Sequence, residues 1–128
     1  MNISGFNHLT LRVNNIEKSL SFYIGILEAQ LVHRGRRDVY LTWGDMWICL
    51  LEKPDLQQVP SLGLDHIAFT VDEATFHTWN RELQRKGVSI VRKAVFRGGG
   101  WSLQFEDPDG ICFELFTGNL ETRMKDWN

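Results

Sequence analysis

At 128 residues, with 43% hydrophobic and 23% charged residues, the chain has the make-up of one ordinary globular domain or of two small modules sharing a core. Its net charge of −2 and pI near 6.1 argue against a general nucleic-acid binder. Cys49 and Cys112 are too few for a disulfide scaffold, and no apolar run approaches the ~20 residues needed to span a membrane. The N-terminus has no basic segment followed by an apolar run, so a cytoplasmic location is expected.

The first element is a strand around Phe6–Val13. Leu9, Leu11 and Val13 alternate with His8 and Thr10, so the histidine and threonine share the face opposite the core. Asn14 and Asn15 can cap a helix that carries Ile16, Leu20, Tyr23 and Leu27 at near-helical spacing. Strands are expected at about Gln30–His33, Val39–Trp43 and Met46–Glu52, with a tight turn at Gly44-Asp45. Pro54 to Gly63 reads as a linker.

The pattern then repeats. Leu64-Asp65-His66-Ile67-Ala68-Phe69-Thr70-Val71 matches Phe6-Asn7-His8-Leu9-Thr10-Leu11-Arg12-Val13, with the two histidines in register. Asp72 caps a helix bearing Phe76, Trp79 and Leu83 that stops at Gly87. Strands follow at about Ser89–Lys93, Trp101–Glu106 and Ile111–Thr117, the last two joined by Asp107-Pro108-Asp109-Gly110. The fold expected is α+β: two βαβββ modules forming a cupped mixed sheet. Module one spans 1–53, the linker 54–63, module two 64–118, and a C-terminal tail 119–128. Residues on the face away from the helices line the cavity and become the candidates for chemistry.

Glu114 lies in the last strand, where a carboxylate among apolar neighbours is costly unless it is paired or bound to a metal. His8 and His66 occupy equivalent places in the repeat, and Glu114 sits on the closing strand. Together they make three protein ligands for a divalent metal with open positions for water or substrate. His33 and His77 lack this context and read as surface residues. The basic groups Arg34, Arg36, Arg37 and Arg92, Lys93, Arg97 are either solvated loop faces or recognise a small anion through their donor forks.

These residues, together with Leu20-Ser21-Phe22-Tyr23, Met46-Trp47-Ile48-Cys49-Leu50 and Phe113-Glu114-Leu115-Phe116-Thr117-Gly118-Asn119-Leu120, resemble the vicinal oxygen chelate superfamily (glyoxalase I, extradiol dioxygenases, bleomycin-binding proteins). Within it the chain is most similar to the fosfomycin-resistance glutathione transferases. The resemblance implies a homodimer that exchanges modules, so that His8 of one chain joins His66 and Glu114 of the other. It further implies Mn(II), glutathione as thiol donor, and fosfomycin or a related small phosphonate as substrate, with no nucleic-acid or membrane partner. Thr10 matches a hydroxyl beside the epoxide oxygen, and Arg123 matches a phosphonate-binding arginine. Trp47, Cys49 and Tyr40 match pocket-lining residues.

The chain also departs from that family. The loop Arg97-Gly98-Gly99-Gly100-Trp101 lacks the Ser and Glu side chains that bind potassium in family members, and Ser102 alone remains, so potassium activation is not expected. Gln104 stands where the family has a tyrosine. The family's loop lysine falls at or beside Ala94, which leaves Lys93 to substitute for it. The glycines either offer backbone N–H groups to an anion or form a flexible loop. Two other readings use the same fold: a different metal-dependent lyase or epoxide hydrolase, and a non-catalytic drug-binding protein. The metal-ligand pattern counts against the second.

Overall fold

The computed structural model describes residues 1, 6–56 and 64–125. The chain divides into two compact units, Met1–Val59 and Pro60–Asn128. Unit one contains β1 (His8–Val13), α1 (Ile16–Tyr23), β2 (Gln30–Arg34), β3 (Asp38–Trp43) and β4 (Met46–Glu52). Unit two contains β5 (Ile67–Thr70), α2 (Glu73–Arg85), β6 (Ile90–Arg97), β7 (Gly100–Glu106), β8 (Cys112–Phe116) and α3 (Leu120–Lys125). Both are βαβββ modules, as the repeat predicts, and no helix among the described residues is long and apolar enough to cross a membrane.

The two sheets have the same wiring, β1-β4-β3-β2 and β5-β8-β7-β6. In each, the first strand pairs parallel to the last, and the remaining pairs are antiparallel. Because partners in register share a face, one face of the first sheet carries His8 beside Trp47 and Thr10 beside Cys49. The same face of the second carries Ala68, Glu114, Gln104 and Arg92 in one row. The opposite faces are apolar. Leu11, Val13, Ile48 and Leu50 pack with Ile16 and Phe22 in unit one, and Leu103, Phe105, Phe113 and Leu115 pack with Phe76 and Leu83 in unit two. Full burial of each such side chain contributes roughly 1.5–3 kcal/mol.

The caps act as the sequence suggests. Asn15 accepts the Lys18 N–H and Asp72 accepts the Thr75 N–H. The first N–H of α1, at Ile16, is held instead by the Glu52 carboxylate at 2.9 Å, which draws that acid to the helix side of the sheet. α1 ends earlier than its apolar spacing predicts. Ile26 and Leu27 both reach back to the Phe22 carbonyl, yet Leu27 is still fully buried.

Part of the expected tail is a helix. Asn119 Oδ1 accepts the Thr122 N–H while Thr122 Oγ1 accepts the Asn119 N–H, both at 2.9 Å, a reciprocal cap that starts α3. Residues 57–63 of the expected linker and residues 126–128 lie outside the described residues.

Candidate active site

In unit two the non-helix face opens into a cavity of about 650 Å³ lined by His66, Thr70, Arg92, Arg97, Ser102, Gln104, Glu114, Phe116, the segment Thr117–Leu120 and Arg123. Three guanidinium groups face one carboxylate there, so the cavity's own charges favour an anion. The turn Asp107–Gly110 fixes the β7–β8 register that places Glu114 beside Gln104. The buried Asp107 carboxylate accepts the N–H groups of Asp109 and Ile111, each at 2.8 Å.

Glu114 Oε1 lies 3.5 Å from His66 Nε2 and 3.5 Å from an Arg92 nitrogen, and accepts a 2.8 Å hydrogen bond from Gln104. The carboxylate side chain is 15% exposed, so these partners offset the cost of burying it. On the other side of the imidazole, Asp65 Oδ2 lies 2.7 Å from His66 Nδ1. A carboxylate can only accept, so Nδ1 carries the hydrogen, which in the neutral ring leaves Nε2 as the nitrogen able to bind a metal. A carboxylate holding the far nitrogen of a ligand histidine is the usual outer support of a metal site. Two donors that share one ion at about 2.1 Å each come to stand roughly 3–3.5 Å apart. The spacing of His66 and Glu114 therefore suits a common divalent ion. Within unit two, no third His, Cys, Asp or Glu among the described residues completes such a group.

Unit one repeats the histidine arrangement. Asn7 Oδ1 lies 2.6 Å from His8 Nδ1, so in the neutral ring with Nδ1–H donating, Nε2 is again the acceptor. The His8 ring packs against Trp47, with centroids 4.3 Å apart, and Trp47 meets Tyr40 edge-on at 5.6 Å. Thr10 hydrogen-bonds the Cys49 thiol. Burial, with a smaller push from Asp38, nonetheless holds that thiol above its ordinary pKa, so Cys49 is a neutral wall residue at pH 7. Five of the residues singled out in the sequence (His8, Thr10, Tyr40, Trp47, Cys49) thus share one face of the first sheet. His66, Ser102, Glu114 and Arg123 line the cavity of the second.

Lys93 does not belong to that lining. It is exposed, and its neighbour Arg92 lines the cavity instead. Arg92 donates to Ser102 Oγ at 2.6 Å, and its second terminal nitrogen is buried with no hydrogen-bond partner among the described residues. Arg92 reaches the cavity face because the β6–β7 ladder is irregular between the pairs Ile90↔Phe105 and Arg92↔Gln104, and again before Val95↔Ser102, which spoils a residue-by-residue match through this strand. Gln104 was visible in the sequence as a departure, but its contact with Glu114 was not. His33 is exposed as expected. His77 is half-buried, with its ring 5.0 Å from that of Trp101 and its Nε2 3.6 Å from Glu73.

The family model of the Glyoxalase/Bleomycin resistance protein/Dioxygenase superfamily matches residues 5–115. The glutathione transferase FosA of Serratia marcescens is 38% identical over 124 residues, covering 95% of this chain and 86% of that protein. The chain belongs to the fosfomycin-resistance family of this superfamily. The metallothiol transferase FosB of Staphylococcus saprophyticus is 35% identical over 125 residues, covering 95% of this chain and 82% of that protein. Among solved structures, a mutant of the fosfomycin resistance protein FosX of Listeria monocytogenes, complexed with Mn(II) and 1S,2S-dihydroxypropylphosphonic acid, superposes with a TM-score of 0.82 at 28% identity. That match covers 97% of this chain and 99% of FosX. Fosfomycin-resistance proteins thus include thiol transferases and a protein seen with a vicinal diol, and the choice between these chemistries rests on details of the site.

Proposed function

We propose that this protein is a Mn(II)-dependent transferase that opens the epoxide of fosfomycin, or of a closely related small phosphonate, with the thiol of glutathione. The observation that carries this reading is the unit-two cavity, where the paired donors of His66 and Glu114 stand beside three arginines. The 38% identity to a glutathione transferase supports the choice of thiol.

His66 and Glu114 would hold the ion together with His8, which the module-exchanged homodimer of our proposal would bring from the partner subunit. When bound, such an ion supplies Lewis acidity to the epoxide oxygen and balances charge as the ring opens. The chain's own groups do the rest. Arg92 and Arg123 hold the phosphonate by charge-assisted hydrogen bonds, with Ser102 orienting Arg92. Fixing the phosphonate also fixes the epoxide carbon that the thiol must reach, which is where proximity contributes. The sulfur forms a bond to that carbon as the carbon–oxygen bond breaks, and the proton released by the thiol balances the one taken up by the new hydroxyl. Thr10 shares the strand face of His8 and offers its hydroxyl to the oxygen that gains charge. Trp47 and Tyr40 shape the wall on the same face.

The test is His66→Ala in the full-length protein. The variant should lose Mn(II) binding and fosfomycin turnover together, and retention of both would rule this reading out. The likeness to FosX favours a second reading, in which water replaces the thiol and the product is the diol. Product mass distinguishes the two, because a glutathione adduct supports transfer and a gain of one water supports hydrolysis.

A further inference from the structure

The β6–β7 turn has a property that left-handed backbone alone does not explain. Gly98 and Gly99 have φ of 63° and 83°, as a two-residue hairpin turn requires. Asn would meet that requirement nearly as well as Gly, since its short polar side chain tolerates this region. Gly44 and Gly87, with φ of 61° and 72°, show the ordinary case, where a Cβ would meet nothing within 4 Å.

At the triple glycine the space is filled. A Cβ on Gly98 would stand 2.9 Å from Arg123 Cδ and would overlap a terminal guanidinium nitrogen of the same residue. On Gly99 it would stand 2.5 Å from the Thr122 carbonyl oxygen, and on Gly100 it would stand 2.5 Å from the Gly118 nitrogen. The turn's backbone therefore lies flush against the segment from Gly118 to Arg123, and the Arg123 side chain rests on Gly98. Trp101 and Thr117 tie the two segments together, with Trp101 N–H donating to Thr117 Oγ1 at 2.8 Å and Thr117 N–H to the Trp101 carbonyl at 3.0 Å. The glycines are not among the residues that line the cavity, whereas Arg123 is.

We infer that Gly98 is a positioning residue for anion recognition: the side-chain-free turn is a platform that sets where the Arg123 guanidinium stands in the cavity. The inference rests on the reading of that cavity as a phosphonate site. It gives the turn a specific task, performed through contact rather than through its own N–H groups or an added cation.

The experiment compares Gly98→Asn with Gly44→Asn in the Mn(II)-loaded protein. It measures the Kd of inorganic phosphate as the anion probe, the KM and kcat for fosfomycin, and the Kd of Mn(II). Gly98→Asn should weaken phosphate binding and raise KM about tenfold, the scale of one lost charge-assisted contact, with Mn(II) affinity unchanged. Gly44→Asn, which carries the same backbone demand without the contact, should leave all four quantities unchanged. Combined with Arg123→Ala, Gly98→Asn should add almost nothing, because both changes remove one interaction. Unaltered phosphate affinity in Gly98→Asn, or full additivity with Arg123→Ala, would overturn the inference.

Should Gly98→Asn fold poorly, Arg123→Ala alone still reads the contact. It should shift the backbone amide resonances of Gly98 and Gly99, and unmoved resonances would count against the platform. If wild-type protein binds phosphate in the predicted pattern but leaves fosfomycin intact, the proposed reaction fails and the platform stands.

Discussion

Gln104 donates its side-chain amide across 2.8 Å to Oε1 of Glu114, the same carboxylate oxygen that stands 3.5 Å from His66 Nε2. The pair is in register on β7 and β8, so the contact is built into the sheet. It restrains a carboxylate that would otherwise swing within the cavity, and supports of this kind are typically worth a factor of 10 or more in metal affinity. Gln104→Ala should therefore weaken Mn(II) binding by about tenfold, read by titration with electron paramagnetic resonance. Equal affinities in variant and parent would remove Gln104 from the site.

Arg92 and Lys93 are adjacent in sequence and should behave very differently. Arg92 lines the cavity, donates to Ser102 Oγ and has a buried nitrogen without a hydrogen-bond partner among the described residues, whereas Lys93 is exposed. Steady-state kinetics should show the fosfomycin KM of Arg92→Ala rising by about tenfold or more, and that of Lys93→Ala staying within twofold, as surface changes usually do. A reversed ranking would return the anion contact to Lys93.

The sequence made the modules legible because the two histidine segments alternate strictly and repeat. The places of His8, His66 and Glu114 follow from strand alternation and the repeat, whereas Trp47 and Tyr40 came from the family resemblance. Arg92 was hidden by the irregular ladder in β6, whose register shifts between Ile90 and Arg92 and turns Arg92 to the face of Gln104. α3 was hidden because its apolar pattern is weak, although the spacing of Asn119 and Thr122 carried the cap that starts it. The Gly98–Arg123 contact could not be read at all, since the sequence gives the flexibility of a glycine and not what lies against it.

Cys49 supplies a test in pH. Burial raises its thiol pKa, so the folded state keeps the proton that an exposed thiol would release. The stability this contributes is complete below the ordinary thiol pKa and is lost as pH rises through the raised value. At pH 8.5, peptide-level mass spectrometry should find iodoacetamide labelling of Cys49 much slower in the native protein than in the denatured chain. Equal rates would contradict a protected neutral thiol beside Thr10.

Asp107 tests the turn that sets Glu114. Its buried carboxylate holds two backbone N–H groups, so Asp107→Ala should cost about 2–3 kcal/mol in urea unfolding. A loss below 0.5 kcal/mol, the range of an ordinary surface change, would mean that the β7–β8 register is set elsewhere.

The most direct measurement of the central claim is phosphorus NMR of fosfomycin incubated with Mn(II)-loaded protein, with and without glutathione, beside the same protein stripped of metal by chelation. The account predicts a new phosphonate resonance that requires both Mn(II) and glutathione and is absent from the chelated sample. A spectrum that stays unchanged in every tube, or a product that forms equally well without metal, would contradict it.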